Sequence, residues 1–206
     1  PPPVLVGENI RFWPVSADEF VMKHAFFPFI AVILFFSCAT APRRPGVVID
    51  PGYPVMGAGT ADMETLVAFF RENNPEADEA KVYRLARLYR EEAAVERVNA
   101  DVAFIQMCLE TGFLRFGNLV TEDMNNFCGL GAIGPEQPGL RFPDERTGVR
   151  AHVQHLQAYG STEPLAQELV DPRYKYVSPR GKAATIGGLG GTWAADRQYG
   201  EKLAAL

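Results

Sequence analysis

The chain carries no cluster of basic residues, and this absence excludes the kind of surface on which nucleic acids are usually bound. Its 20 lysines and arginines are outnumbered by 25 aspartates and glutamates, so the net charge is -5. Proteins that bind DNA or RNA concentrate positive charge on one face. We therefore expect no nucleic-acid partner. The apolar and charged fractions, 47% and 22%, are ordinary for a globular protein, and 206 residues suffice for one well-buried domain with appendages.

Metal-binding residues are also scarce, with three cysteines and three histidines in the whole chain. His152 and His155 stand three residues apart and could share one face of a helix. No cysteine lies nearby and no third ligand is evident, whereas zinc sites use three or four protein ligands. We interpret both histidines as polar positions on a packed helix. The sequence predicts no metal and no cofactor.

The chain lacks an apolar run long enough to cross a bilayer as a stable helix. The run over 25–36 is short, and Pro28 interrupts it. It follows Lys23 and His24, and a short positive region before an apolar run is typical of a secretory signal peptide.

The end of that run, over 34–38, resembles the lipobox of bacterial lipoproteins. It predicts cleavage before Cys38 and a lipid on that residue, and the alternative is an ordinary signal peptide cut after Ala41. The predicted organisation is a non-native leader over 1–21, a signal peptide over 22–38, a Pro/Gly-rich tether over 39–59 and one domain over 60–206.

Helices dominate the predicted domain, because apolar residues recur at helical spacing through most of it. The region over 121–144 is rich in glycine, proline and asparagine, and it predicts loops or a short hairpin lobe. The predicted helices lie at 60–73, 82–93, 99–110, 149–160 and 164–170, and a terminal helix carries Trp193, Tyr199 and Leu203.

The helix over 99–110 is the most informative of these. Asn99 is a favourable N-cap and Gly112 is placed to end the helix. Almost every residue between them is apolar, so the helix should be buried on all sides, with Glu110 as a carboxyl at the rim of the core. Desolvation and the negative end of the helix dipole both raise its pKa. A carboxyl that stays protonated near neutral pH can protonate a leaving-group oxygen; the alternative is a solvated glutamate at a helix end.

The glycines that follow this helix form a G-x-G-x-x-G pattern at Gly129, Gly131 and Gly134. We reject a nucleotide-binding loop because no buried strand precedes the pattern and Pro135 prevents a clean helix from following it. Flexible glycines beside a cleft are the better account.

Cys108 and Cys128 flank Glu110 in sequence. A bridge between them would close a loop of about 20 residues and stabilise the fold by roughly 3 kcal/mol. Two buried free thiols are the alternative that we favour, since cysteine is a common core residue.

Three blocks of sequence together resemble one family. They are AFIQMCLETG over 103–112, NNFCGLG over 125–131, and GTWAAD over 191–196 with Tyr199. Their order and spacing are similar to the glucosaminidase-type peptidoglycan hydrolases of glycoside hydrolase family 73, over about 63–206. The resemblance implies an α+β, mainly α fold, with a lysozyme-like helical domain and a small β-hairpin lobe. It also implies hydrolysis of the β-1,4 bond after N-acetylglucosamine in peptidoglycan.

The resemblance assigns the role of general acid to Glu110. An oxocarbenium-like transition state then needs a second carboxylate or help from the acetamido group of the substrate. Members of the family often carry an additional glutamate in a Thr-Thr-Glu context, which is missing from this sequence. Asp144, Glu145 and Glu136 are therefore candidates for the second carboxylate.

Trp193 stands where many members of the family have a tyrosine. It could still stack on a sugar face, and Tyr199 is the nearest substitute for the missing hydroxyl, so Tyr199 is included among the catalytic candidates. The substrate-binding residues that the resemblance implies are Asn125, Asn126, Phe127, Gly129, Trp193 and Asp196.

The export signal and the three blocks predict a lipid-anchored cell-wall hydrolase that acts on peptidoglycan glycan strands. We expect a monomer in the bacterial cell envelope, as a periplasmic or outer-membrane lipoprotein. One alternative is a lytic transglycosylase on the same fold, which needs only one acid. Another is a non-catalytic peptidoglycan-binding lipoprotein.

Overall fold

The structure, a computed structural model, describes residues 51–206, and this part of the chain is mainly helical, as predicted. It contains isolated β-bridges but no extended strand, and none of its helices is long and apolar enough to span a bilayer. The α-helices are α1 (Met63–Asn73), α2 (Glu79–Glu96), α3 (Ala100–Thr111), α4 (Glu145–Gly160) and α5 (Tyr199–Ala204). Single 3₁₀ turns lie at Glu122–Met124, Tyr174–Tyr176 and Ile186–Leu189. The predicted leader, the signal peptide and Cys38 lie outside the described residues.

Helix α3 is central, because it contacts each of the other four α-helices. Asn99 caps its N-terminus by accepting hydrogen bonds from two backbone N–H groups of the first turn, and Gly112 ends it in the left-handed conformation at φ 58°. Phe104 is fully buried and packs edge-on against Phe70 and Tyr89. The caps and the burial predicted for this helix are confirmed.

Helices α2 and α4 pack along each other, and a buried carboxylate lies at their contact. The Glu92 side chain is only 3% exposed. It accepts hydrogen bonds from Arg146 Nη1 at 2.6 Å and Arg150 Nε at 2.8 Å. Two cations therefore compensate the negative charge that this helix pair buries.

The segment over 51–59, which was predicted to lie in the tether over 39–59, is instead part of the folded domain. Val55 is fully buried. Its N–H donates to the Ala184 carbonyl at 3.0 Å, and its own carbonyl accepts from the Asn99 N–H at 2.9 Å. The segment pairs with backbone on both sides, and so its glycines and prolines do not make it a linker.

The helix predicted over 164–170 is wrong, because side chains of neighbouring helices bind the backbone groups that a helix would pair internally. Gln154 of α4 donates to the Glu168 carbonyl and accepts from the Val170 N–H, each at 2.8 Å. The Ala166 N–H donates to Glu96 of α2 at 2.8 Å. These contacts hold the segment in a non-helical conformation against α4 and α2.

The region over 121–144 forms the predicted lobe, and of the two predicted alternatives, loops or a short hairpin, it consists of loops. An isolated antiparallel bridge joins Gly134 to Gln137. The lobe docks closely on α4, because a Cβ atom at Gly148 would lie 1.8 Å from the Asn125 carbonyl oxygen. Only glycine fits at this contact.

Candidate active site

Glu110 lies in the last turn of α3, where it lines a groove of about 360 Å³. The opposite walls come from the loop lobe and from the turn before α5. Asn126, Gly129 and Trp193, three of the residues predicted to bind substrate, also line this groove. The fold therefore brings residues of the second and third sequence blocks to the same groove as the end of the first block.

Two neutral donors bind the same oxygen of the Glu110 carboxyl. Trp193 Nε1 donates to Oε1 at 3.0 Å, and the Tyr199 hydroxyl donates to Oε1 as well. Oε2 has no hydrogen-bond partner among residues 51–206. The two oxygens are therefore inequivalent. Oε1 accepts two hydrogen bonds, and Oε2 is available to bind a group in the groove.

Burial raises the pKa of the Glu110 carboxyl. The hydrogen bonds from Tyr199 and Trp193 act in the opposite direction but do not outweigh burial. No cation is among these partners, so nothing near the carboxyl strongly favours its charged form. The raised pKa predicted from the helix pattern is confirmed in direction, with desolvation as its main cause.

A line of buried polar side chains continues behind Tyr199. Gln106 Nε2 donates to the Tyr199 hydroxyl at 3.1 Å, and Gln106 Oε1 lies 3.0 Å from His152 Nε2. His152 Nδ1 lies 2.7 Å from the Tyr89 hydroxyl. Burial lowers the pKa of His152 to about 3, so the imidazole is neutral. Sequence reasoning missed Gln106, although it stands four residues before Glu110 as a polar exception in an apolar helix.

Rings on three sides hold the indole of Trp193. Its centroid lies 5.8 Å from that of His152, 5.2 Å from that of His155 and 5.2 Å from that of Tyr159. His155 is in turn held by Asp171, whose Oδ2 lies 2.7 Å from His155 Nδ1. The cage orients the indole N–H toward Glu110. Trp193 lies in the turn that precedes α5 and not in the terminal helix that was predicted to carry it.

The two asparagines of the second block have different roles. Asn126 is buried and holds the loop together, since its side chain donates to the carbonyls of Leu130 and Leu140. Asn125 faces away from the groove and donates to the Phe142 carbonyl at 3.1 Å. Phe127 is fully buried in the core and supports the groove wall from behind.

The acidic residues other than Glu110 are not brought to the groove. Asp144 caps α4 by accepting from the Thr147 N–H, and Glu145 pairs with Arg84 at 3.2 Å. Both line a separate cavity. Two more, Glu136 and Asp196, stand apart from the groove lining: Glu136 is exposed on the turn over 134–137, and Asp196 pairs with Lys202 at 2.6 Å.

Cys108 and Cys128 are both buried free thiols. Cys128 lines the groove beside Glu110, and burial raises the pKa of both thiols, which keeps them protonated. Within residues 51–206 no three His, Cys, Asp or Glu side chains are grouped so that they could hold a metal ion.

A carboxyl with a raised pKa, held by neutral donors at the wall of a groove, is the arrangement of an acid catalyst for glycosidic bonds. Comparison with known proteins agrees with this class. The family model Glucosaminidase, described as mannosyl-glycoprotein endo-beta-N-acetylglucosaminidase, matches residues 86–206. The chain belongs to this family and is a glycoside hydrolase, as the three sequence blocks predicted.

One relative is an uncharacterized protein of Borreliella burgdorferi, which is 40% identical over 149 residues that cover 72% of each chain. Among solved structures, the crystal structure of S. aureus Autolysin E matches with a TM-score of 0.44 at 10% identity. That match covers 75% of this chain and 68% of Autolysin E.

Proposed function

We propose that this protein is an endo-β-N-acetylglucosaminidase that hydrolyses the β-1,4 bond after N-acetylglucosamine in peptidoglycan, with Glu110 as the general acid. The observation that carries the proposal is the environment of Glu110: a desolvated carboxyl, without a cationic partner, at the wall of a groove. Membership of the glucosaminidase family supports the reaction class.

In this proposal the proton on Glu110 Oε2 passes to the glycosidic oxygen as the bond to the sugar C1 breaks. The carboxylate that results keeps its hydrogen bonds from Trp193 and Tyr199 on Oε1. These donors are already in place before the reaction, so they stabilise the developing charge without reorganisation.

The positive charge that develops at C1 has to be stabilised by a group of the substrate itself, because Glu110 is the only carboxyl that lines the groove within residues 51–206. We propose that the acetamido oxygen of N-acetylglucosamine attacks C1 as the leaving oxygen takes the proton of Glu110, and that the product is an oxazolinium ion, which keeps the amide proton. Water then opens this ring, with Glu110 accepting the proton of the water. The configuration at C1 is retained, because two displacements occur in sequence.

The same single carboxyl favours a second candidate, a lytic transglycosylase, in which an internal hydroxyl of the sugar replaces water. The two reactions differ in their products. Hydrolysis adds a water molecule and creates a new reducing end. The transglycosylase adds no water, and it releases an anhydro sugar without a reducing end.

Product analysis of a peptidoglycan digest tests the proposal. We expect the parent protein to release fragments with N-acetylglucosamine at a new reducing end, and we expect Glu110→Gln to release almost none. Glu136→Gln, which neutralises an exposed carboxyl outside the groove, is the matched control and should act like the parent. Anhydro fragments would select the transglycosylase, and an active Glu110→Gln protein would reject the assignment of the acid.

A peptidoglycan hydrolase acts outside the cytoplasm, and we propose that the signal peptide over 22–38 exports the protein and that a lipid on Cys38 anchors it. The support is the pattern of residues before Cys38. Expression of Cys38→Ala in a bacterial host tests the anchor. The parent should partition with membranes and the variant should not.

A further inference from the structure

A buried hydrogen-bond chain links Glu110 to a tyrosine on another helix. In order, its members are Glu110, Tyr199, Gln106, His152 and Tyr89. Three of them, Gln106, His152 and Tyr89, are fully buried, and Tyr199 is 6% exposed. The chain crosses from α5 to α3, α4 and α2, so four helices contribute to the surroundings of one carboxyl.

The neutral imidazole couples the bonds of this chain, so that the direction of one hydrogen bond sets the direction of all the others. If the Tyr199 hydroxyl donates to Glu110, its oxygen accepts from the amide N–H of Gln106. The amide oxygen of Gln106 then faces His152 and requires the Nε2–H tautomer. His152 Nδ1 is therefore an acceptor, and it is satisfied by the hydroxyl of Tyr89.

All five groups could in principle reverse together. A proton on Glu110 Oε1 would then be donated to Tyr199, the amide of Gln106 would turn over, and His152 would carry its proton on Nδ1. Both directions make the same number of hydrogen bonds between neighbouring groups. The groups inside the hydrogen-bond chain therefore favour neither direction.

Tyr89 makes the two directions unequal, because its hydroxyl is the last group of the hydrogen-bond chain. Within residues 51–206 its one hydrogen-bond partner is His152 Nδ1. In the forward direction the Tyr89 proton is donated to that nitrogen. In the reverse direction the Tyr89 oxygen accepts, and its proton is left in an apolar core without an acceptor, which costs the full desolvation of a donor.

We propose that Tyr89, acting through His152 and Gln106, fixes the Tyr199 hydroxyl as a donor to Glu110 Oε1 and thereby assigns the acid proton to Oε2, on the groove side. Tyr89, His152 and Gln106 are positioning residues, since none of them lines the groove. The inference rests on the proposed role of Glu110 as the acid. It adds the reason why the proton is on the oxygen that can reach the substrate.

The sharpest test is the tautomer of His152, measured by nitrogen NMR on protein labelled in its three histidines. We expect the parent protein, without substrate, to have the proton on Nε2. Tyr89→Phe keeps the aromatic ring but leaves His152 Nδ1 without a partner in either tautomer. The preference for the Nε2–H form should therefore narrow, and we expect a fraction of the Nδ1–H form to appear. Tyr83→Phe is the matched control, because Tyr83 is on the same helix and 38% exposed; it should leave the tautomer unchanged.

Kinetics on peptidoglycan fragments provide the second measurement. Loss of the directing hydrogen bond should lower kcat of Tyr89→Phe by about three- to tenfold. KM should stay as in Tyr83→Phe, because Tyr89 does not contact the groove. A role in packing alone would lower the melting temperature without changing the tautomer or kcat.

The outcomes separate this inference from the proposed function. If the parent carries the proton on Nδ1, or if Tyr89→Phe has the kcat of Tyr83→Phe while Glu110→Gln is inactive, the inference fails and the assignment of the acid stands. If Glu110→Gln is as active as the parent, the proposed function fails and the inference fails with it.

Discussion

Two desolvated glutamates, the buried Glu92 and the partly buried Glu110, show how the same side chain takes opposite properties within one domain. Glu92 is bound by two guanidinium groups, from Arg146 and Arg150. Although burial acts to raise its pKa, the hydrogen bonds from Arg150, Arg146 and Gln167 outweigh burial and lower it. Glu110 is bound by an indole and a phenol, and burial leaves its pKa raised.

The difference lies in the charge of the partners, because Glu92 has the lowered pKa although it is the less exposed of the two. A cationic partner favours the carboxylate, whereas a neutral donor satisfies the oxygen and leaves desolvation largely uncompensated. Glu92 is therefore a structural anion between two helices. Glu110 is a carboxyl that can keep a proton, as an acid catalyst must.

The largest effect that we expect is the loss of activity in Glu110→Gln. Removal of a general acid lowers kcat by roughly 10²- to 10⁴-fold. Glu92→Gln should keep kcat within about twofold, because Glu92 does not line the groove. Turnover of a soluble peptidoglycan fragment measures both. Equal losses of kcat in the two variants would show that the different partners of Glu110 and Glu92 do not distinguish a catalytic carboxyl from a structural one.

Glu92→Gln should destabilise the fold by about 2 kcal/mol at neutral pH, since buried hydrogen bonds to charged groups are lost. The folded pKa of Glu92 lies below the ordinary value of 4.5. The stabilisation is therefore complete above about pH 4.5 and is lost as the pH falls through the lower folded value. Urea unfolding of parent and variant at pH 7 and pH 3 measures it, and the difference in stability between the two proteins should be smaller at the lower pH.

Tyr199→Phe should lower kcat by about tenfold, because a charge-assisted hydrogen bond to the carboxylate is lost. That bond lowers the pKa of Glu110, so without it burial raises the pKa further. An acid is active while it is protonated, and the alkaline limb of the pH profile should therefore move to higher pH. A limb that moves to lower pH would contradict this account of the site.

Glu110→Gln should also change stability in the sense opposite to Glu92→Gln. A carboxyl whose folded pKa is raised above 4.5 contributes stability that is present below pH 4.5 and is lost as the pH rises through the folded value. Gln cannot ionise, so the variant should melt at the same temperature as the parent or higher at pH 8. Calorimetry at pH 5 and pH 8 tests this sign, and a lower melting temperature at pH 8 would contradict it.

The smallest effect is expected at Glu145, one of the three carboxylates that were candidates for the second catalytic group. It lies in another cavity, in an ion pair with Arg84, and such pairs contribute about 0.5 kcal/mol. Glu145→Gln should keep kcat within about twofold. A loss as large as that of Glu110→Gln would place Glu145 in the reaction.

Local sequence patterns were sufficient where neighbouring residues decide the outcome. The caps Asn99 and Gly112, the burial of α3 and the end of α4 at Gly160 follow from capping preferences and helical spacing. Local patterns failed where distant partners compete. The segment over 51–59 is rich in glycine and proline but pairs with backbone on two sides, and the backbone over 164–170 is bound by Gln154 of α4 and Glu96 of α2.

The sequence by itself determined that an apolar, capped helix ends on Glu110 and that the chain belongs to a glucosaminidase family, and it left open whether this carboxyl is desolvated or solvated. Only the tertiary structure decided which groups surround the carboxyl. Trp193 and Tyr199 lie 83 and 89 residues from Glu110. Hydrogen bonds over such separations depend on how helices pack, and local spacing contains no information about them. The proton position at Glu110 is therefore a property of the assembled core, although the residue itself is visible in the sequence.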